Sequence, residues 1–193
     1  MNKFHFIFIV FLIPFFSCQK CNLKGDEILN ERFDNYGEWL LYSEYDQDDQ
    51  IYSRIENGSL KLKSNQSFQS CQRATYYFSQ DLSGISGFQV CIDLKELSLP
   101  KKLDVHFYFS LGKYEMHATI EKKSVKNNLL ILRMDDKGVS SNHKGAIFGG
   151  IGNEIENDNF SDNFIQISLC PEPEEDSEGD LYIEIENIKI NTL

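Results

Sequence analysis

The sequence predicts an all-β fold with two antiparallel sheets packed as a sandwich or closed as a barrel, and three observations carry the prediction. Beyond the N-terminus, no segment sustains the three-to-four-residue apolar spacing of an amphipathic helix. Apolar and polar residues instead alternate with period two in many short segments. Turn-forming residues separate those segments, a pattern that suits sheet packing on sheet rather than alternating strand and helix units.

The first element in chain order is a leader, not part of the fold. Met1-Asn2-Lys3 carries one positive charge and precedes an apolar run from Phe4 to Phe16, broken only by His5 and Pro14. The run is too short for a mature membrane span and has the form of a secretory signal. It ends in Phe15-Phe16-Ser17-Cys18, which resembles the lipobox of bacterial lipoproteins, although Phe16 stands where a small residue is more usual. The resemblance implies a signal peptide at 1–17, a lipid on Cys18, a short tether at 18–26 and one domain at 27–193. It also implies the bacterial cell envelope, at the outer membrane or cell surface.

Charge narrows the partners. The 30 acidic side chains outnumber the 19 basic ones, for a net of −11, and loss of a leader carrying only Lys3 deepens the imbalance. Such a surface repels phosphate backbones and anionic headgroups, which argues against nucleic acid and against polybasic attachment to a membrane. Membrane contact then falls to the lipid. With Cys18 acylated, Cys21, Cys71, Cys91 and Cys170 remain, enough for two disulfides in any of three pairings or for free buried thiols.

The strands follow from the alternation. Ile51 to Glu56 and Ser59 to Lys63 flank Asn57-Gly58, a pair that tolerates the positive φ angles of a tight hairpin. Val105, Phe107, Phe109 and Leu111 share one face, with His106, Tyr108 and Ser110 on the other. Tyr114, Met116, Ala118 and Ile120 are opposed in the same way to Glu115, His117 and Thr119. These segments predict a hairpin with Leu111-Gly112 at its tip, pairing Tyr108 with Glu115 and His106 with His117. Further strands are expected at 38–43, 72–79, 88–94, 129–134, 164–169 and 181–190.

Ile28 to Asn35 followed by Trp39, Asp81 to Phe88, and Tyr182 to Ile190 resemble the opening strand, a central-strand loop and the closing strand of jelly-roll carbohydrate-binding modules of the galactose-binding-like type. The resemblance implies a two-sheet antiparallel β-sandwich of jelly-roll type and a carbohydrate ligand. It also implies a structural calcium ion between first and last strands, for which Asp34 and Glu186 are the matching positions. Asp46-Gln47-Asp48-Asp49 fails as an EF-hand loop, because Ile51 and Asn57 occupy the glycine and bidentate-glutamate positions. The acidic run Pro171 to Asp180 reads as an extended, self-repelling loop.

The ligand candidates are His106, Tyr108, Glu115 and His117, a polar row on one sheet face, together with Tyr42 and Tyr45, aromatics with polar neighbours suited to stacking on sugar rings. The competing reading of that row is an ordinary solvated sheet face, and Trp39 and Tyr114 are assigned to the core. No Gly-x-Ser-x-Gly elbow, His-Glu-x-x-His motif or phosphate loop is present. The sequence therefore points to a membrane-anchored, non-catalytic binding lipoprotein. The alternatives are a glycosidase on the same fold and a structural subunit of a cell-surface complex.

Overall fold

The computed structural model describes residues 21, 23–35, 38–43, 51–65, 71–99, 104–121, 128–142, 147–151, 163–170 and 180–193. Cys18, Tyr45, the Asp46–Asp49 segment and most of the 171–180 acidic run lie outside them. The strands, in chain order, are β1 (Glu27–Glu31), β2 (Trp39–Ser43), β3 (Tyr52–Glu56), β4 (Ser59–Asn65), β5 (Gln72–Tyr77), β6 (Gly87–Ser98), β7 (Asp104–Leu111), β8 (Tyr114–Glu121), β9 (Leu129–Asp135), β10 (Gly138–Ser141), β11 (Ile147–Ile151), β12 (Phe164–Leu169) and β13 (Asp180–Thr192). Among the described residues there is no helix, and therefore none long and apolar enough to cross a membrane.

All pairings are antiparallel and form two sheets. The seven-stranded sheet runs β10-β9-β6-β13-β4-β3, with β1 also paired to β13, and the six-stranded sheet runs β11-β8-β7-β12-β5-β2. Of the sandwich and the barrel that the alternation allowed, the observed architecture is the two-sheet sandwich. The first strand pairs with the last, through Leu29 beside Ile190.

Period-two burial builds the core between the sheets. Phe107, Phe109, Tyr114, Met116, Ile165 and Ile167 point inward from the six-stranded sheet, against Leu60, Leu62, Phe88, Ile92 and Ile188 of the other. Trp39 and Tyr114 are core residues, as expected. The Tyr114 hydroxyl is satisfied by the Asp136 carboxylate at 2.7 Å, which ties β8 to the β9–β10 turn of the opposite sheet.

Turn chemistry fixes both principal hairpins. Asn57 and Gly58 adopt φ 53° and 70°, the doubly left-handed pair that matches the twist of β3 and β4. The β7–β8 hairpin corrects the expected register by two residues. Its turn is Gly112-Lys113, so Leu111 faces Tyr114, Tyr108 faces His117, Ser110 faces Glu115 and His106 faces Thr119. The reason is burial: Leu111 is fully buried and cannot occupy an exposed tip, whereas Gly112 supplies the needed φ of 60°. A side chain at Gly112 would also collide with the Leu82 carbonyl. The shift is an even number of residues, so each side chain keeps its predicted face.

The cysteines form two disulfides, Cys21–Cys91 and Cys71–Cys170. The second joins the ends of adjacent strands, one step beyond the Gln72–Leu169 pair of β5 and β12. The first anchors Cys21 to β6. The residues that follow are also held, by the Asp26 amide on the Thr192 hydroxyl, the Asn191 amide group on the Gly25 carbonyl and the Gln89 amide group on the Lys24 carbonyl. Cys21 and residues 24–26 are therefore held against β6 and β13.

Candidate ligand-binding face

Alternation that buries one side of the six-stranded sheet must expose the other. Leu40 and Tyr42 from β2, Tyr77 from β5, Tyr108 from β7 and Phe148 from β11 all point outward there, with exposures of 63%, 53%, 49%, 37% and 65%. These are all of the large hydrophobic side chains exposed among the described residues. Backbone pairing aligns Phe148, His117, Tyr108, Gln166, Thr75 and Leu40 in one row across the six strands. The next row holds Gly150, Glu115, Ser110, Phe164 and Tyr77.

At the centre, Tyr108 and His117 stack at 4.1 Å between ring centroids and 5° between planes. His117 Nε2 lies 3.1 Å from His106 Nδ1, so one imidazole donates a hydrogen bond and the other accepts. The pair sits diagonally, because His117 is directly opposite Tyr108. Burial first, and the neighbouring His106 second, hold the His117 imidazole below its ordinary range, so it is neutral at neutral pH. The hairpin carrying these rings is pinned at its tip. Asn163 Oδ1 accepts from the Gly112 amide at 2.6 Å, and Asn163 Nδ2 donates to the Gln80 carbonyl at 3.1 Å.

Beside the stack lies an open groove of about 520 Å³ bordered by Tyr108, Glu115, His117, Phe148, Gly150 and Phe164, within the range of small-ligand sites. Tyr77 extends the aromatic wall by packing on Phe164 at 6.0 Å. At the far edge, the Arg73 guanidinium lies 5.8 Å from the Tyr42 ring centroid. Three strand spacings, about 14 Å, separate β2 from β7, so Tyr42 shares the face with Tyr108 but not its groove.

His106, Tyr108, Glu115 and His117 are thus on one face, with Tyr42 at its margin, and Tyr45 lies outside the described residues. Sequence reasoning missed Phe148, Gly150, Phe164, Tyr77 and Leu40. For Phe164, Tyr77 and Leu40 the signal was present, since strand parity in three expected strands already placed them outward. Phe148 and Gly150 lie on a strand the alternation did not reveal, because Gly149-Gly150 reads as a loop.

Asp34 and Glu186 lie away from this face. Asp34 follows β1 and its carboxylate approaches the Gly58 turn, while Glu186 projects from β13 with the Lys95 ammonium 4.0 Å away. A groove of about 470 Å³ includes Glu186 and Asp93 but also Arg32 and Lys189. Among the described residues no three His, Cys, Asp or Glu side chains gather as metal ligands. The same groove also holds the amide groups of Asn30 and Asn187, so carboxylate and amide oxygens there stand among ammonium and guanidinium groups.

No family model and no curated protein matches the sequence. Among solved structures, similarity extends to one from work on botulinum neurotoxin type C, whose cell entry is described as dependent upon interaction with two ganglioside molecules. That match has 11% identity, covers 87% of this chain and 48% of that one, and has a TM-score of 0.44. A second is the binding domain of botulinum neurotoxin serotype D/C, with 10% identity, 87% and 49% coverage and a TM-score of 0.44. The chain spans about half the length of each.

Proposed function

We propose that the protein is a non-catalytic carbohydrate-binding lipoprotein that holds a glycan against the outer face of its six-stranded sheet. One observation carries the reading: every exposed large hydrophobic side chain among the described residues lies on that face. Aromatic rings there offer π surfaces to the C–H faces of sugars. Glu115, His117, Gln166 and Ser110, interleaved among them, offer hydrogen-bonding groups for hydroxyls. The stacked, hydrogen-bonded Tyr108–His117–His106 cluster is ordered before any ligand arrives, which lowers the entropic cost of binding.

The lipid on Cys18 supplies the membrane attachment in this reading. Replacing Cys18 with Ala should move the protein from the detergent phase to the aqueous phase; persistence in the membrane at high salt refutes the anchor. The same variant, presented to a glycan array with and without calcium, tests the function. Binding that Tyr108→Ala weakens supports the reading. A blank array, or binding indifferent to this face, refutes it, and release of reducing ends from a bound glycan makes the protein an enzyme.

A further inference from the structure

The groove beside the Tyr108–His117 stack has a feature that the fold does not require. Gly150 lies on the outer side of edge strand β11, its φ is not in the left-handed region, and a Cβ built on it meets no atom of the described residues within 4 Å. Glycine weakens a strand interior, where β-branched residues are preferred. Its neighbour shows the contrast: a Cβ on Gly149 would strike Val139 and Met134 at 2.5 and 2.8 Å, so packing requires that glycine. Among the described residues Gly150 serves no packing contact, and it leaves the groove open there.

Beneath that opening is a carboxylate. Glu115 faces Gly150 on one side and the small Ser110 on the other, so neither neighbour covers it. It is exposed and has no hydrogen-bond or ion-pair partner among the described residues, whereas nearby Lys113 is engaged by Asp136 at 3.1 Å. The rings of Tyr108, Phe148 and Phe164 surround the same groove. A carboxylate among π faces is suited to a cation, which gains from the negative charge and from the ring quadrupoles together. The neutral His117 adds no opposing charge at neutral pH, and Arg73 stands three strand spacings across the sheet from Glu115, more than about 14 Å away. The net charge of −11 draws the same kind of ligand from a distance.

We propose that the groove over Gly150 is the anchoring subsite of this face and takes a sugar unit bearing a free amine, its ammonium against Glu115 between the rings of Tyr108, Phe148 and Phe164. This rests on the reading of the face as carbohydrate-binding and adds to it the chemistry of the sugar.

The test is calorimetric titration of the full chain, kept unacylated by Cys18→Ala, with a hexamer of β-1,4-linked glucosamine and with its fully N-acetylated counterpart, in neutral buffer, where a share of the amines carries protons and His117 stays neutral. The free-amine oligomer should bind about tenfold tighter or more. Glu115→Gln should erase that preference, and Gly150→Val should abolish binding of both oligomers with an unchanged melting temperature. Equal binding, failure of both oligomers to bind, or undiminished binding by Gly150→Val overturns the subsite. A preference that survives Glu115→Gln belongs to the overall charge and overturns it too. The broader reading of the face falls separately, only if no glycan on the array depends on Tyr108.

Discussion

On the outer side of the seven-stranded sheet, Lys61, Lys63, Lys95, Arg133 and Lys189 each lie within 4.0 Å of a carboxylate. On the outer side of the six-stranded sheet stand Leu40, Tyr42, Tyr77, Tyr108 and Phe148, exposed. Both faces arise from the same period-two alternation over the same core, so packing does not account for the difference. A charged, paired face satisfies itself in water. An exposed aromatic face leaves apolar area unburied, and this contrast is what favours the outer face of the six-stranded sheet in the proposed reading.

The contrast can be broken from the structural side first. Removing the Cys71–Cys170 bridge by a double Ala substitution should lower stability by about 2 to 5 kcal/mol, because it closes a sequence separation of 99 residues within the six-stranded sheet. Denaturant unfolding of the variant checks this. A loss under about 0.5 kcal/mol shows that the sheet does not depend on the staple.

On the charged face the centre is Glu184, whose carboxylate is nearly buried, 3.0 Å from the Lys95 ammonium and bonded by the Tyr182 hydroxyl. Burial pushes its pKa up, but the bonds from Lys95, Tyr182 and Ser59 and the charge of Lys61 outweigh burial and hold it below the ordinary glutamate range. A carboxylate depressed in the folded state contributes stability above its unfolded pKa and loses it as pH falls through the folded value. Glu184→Gln should therefore destabilise by about 1 to 3 kcal/mol at neutral pH, and the gap from the parent should narrow as pH drops into the acid range. A gap independent of pH contradicts the assignment of this pairing.

Single substitutions at exposed positions sharpen the comparison with smaller effects. Leu40→Ser and Tyr77→Ser should change stability by less than about 0.5 kcal/mol while reducing the apolar surface that the face presents, read as weaker binding of a hydrophobic dye. Glu56→Gln, which frees Lys61 from a partly exposed pair at 2.7 Å, should likewise stay within about 0.5 kcal/mol. It should leave dye binding unchanged. If Leu40→Ser unfolds the protein, that residue is core and the face is misassigned.

The sandwich was legible because burial on one side imposes parity on every strand. The inward set Phe107, Phe109, Met116 and Ala118 follows from sequence alternation alone. The exact pairing of β7 with β8 was not legible, because Leu111-Gly112 and Gly112-Lys113 keep the same parity. What separates them is the docking of the tip onto Leu82 and Asn163, which are distant in sequence. The groove was half legible for a related reason: Tyr108, Glu115 and His117 declare themselves on a long alternating strand pair, whereas Gly150 acquires meaning only when β11 is laid beside β8. Cysteine pairing was equally closed to sequence, since strand adjacency decides which thiols meet.

The most direct test measures, by calorimetry, the affinity of the strongest array glycan for the parent, for Tyr108→Ala on the aromatic face and for Tyr52→Ala on the charged face. The aromatic-face account predicts a loss of about 1 to 3 kcal/mol for Tyr108→Ala, with an unchanged melting temperature, and no measurable loss for Tyr52→Ala. Undiminished binding by Tyr108→Ala together with a loss in Tyr52→Ala would contradict it and move the site to the opposite sheet.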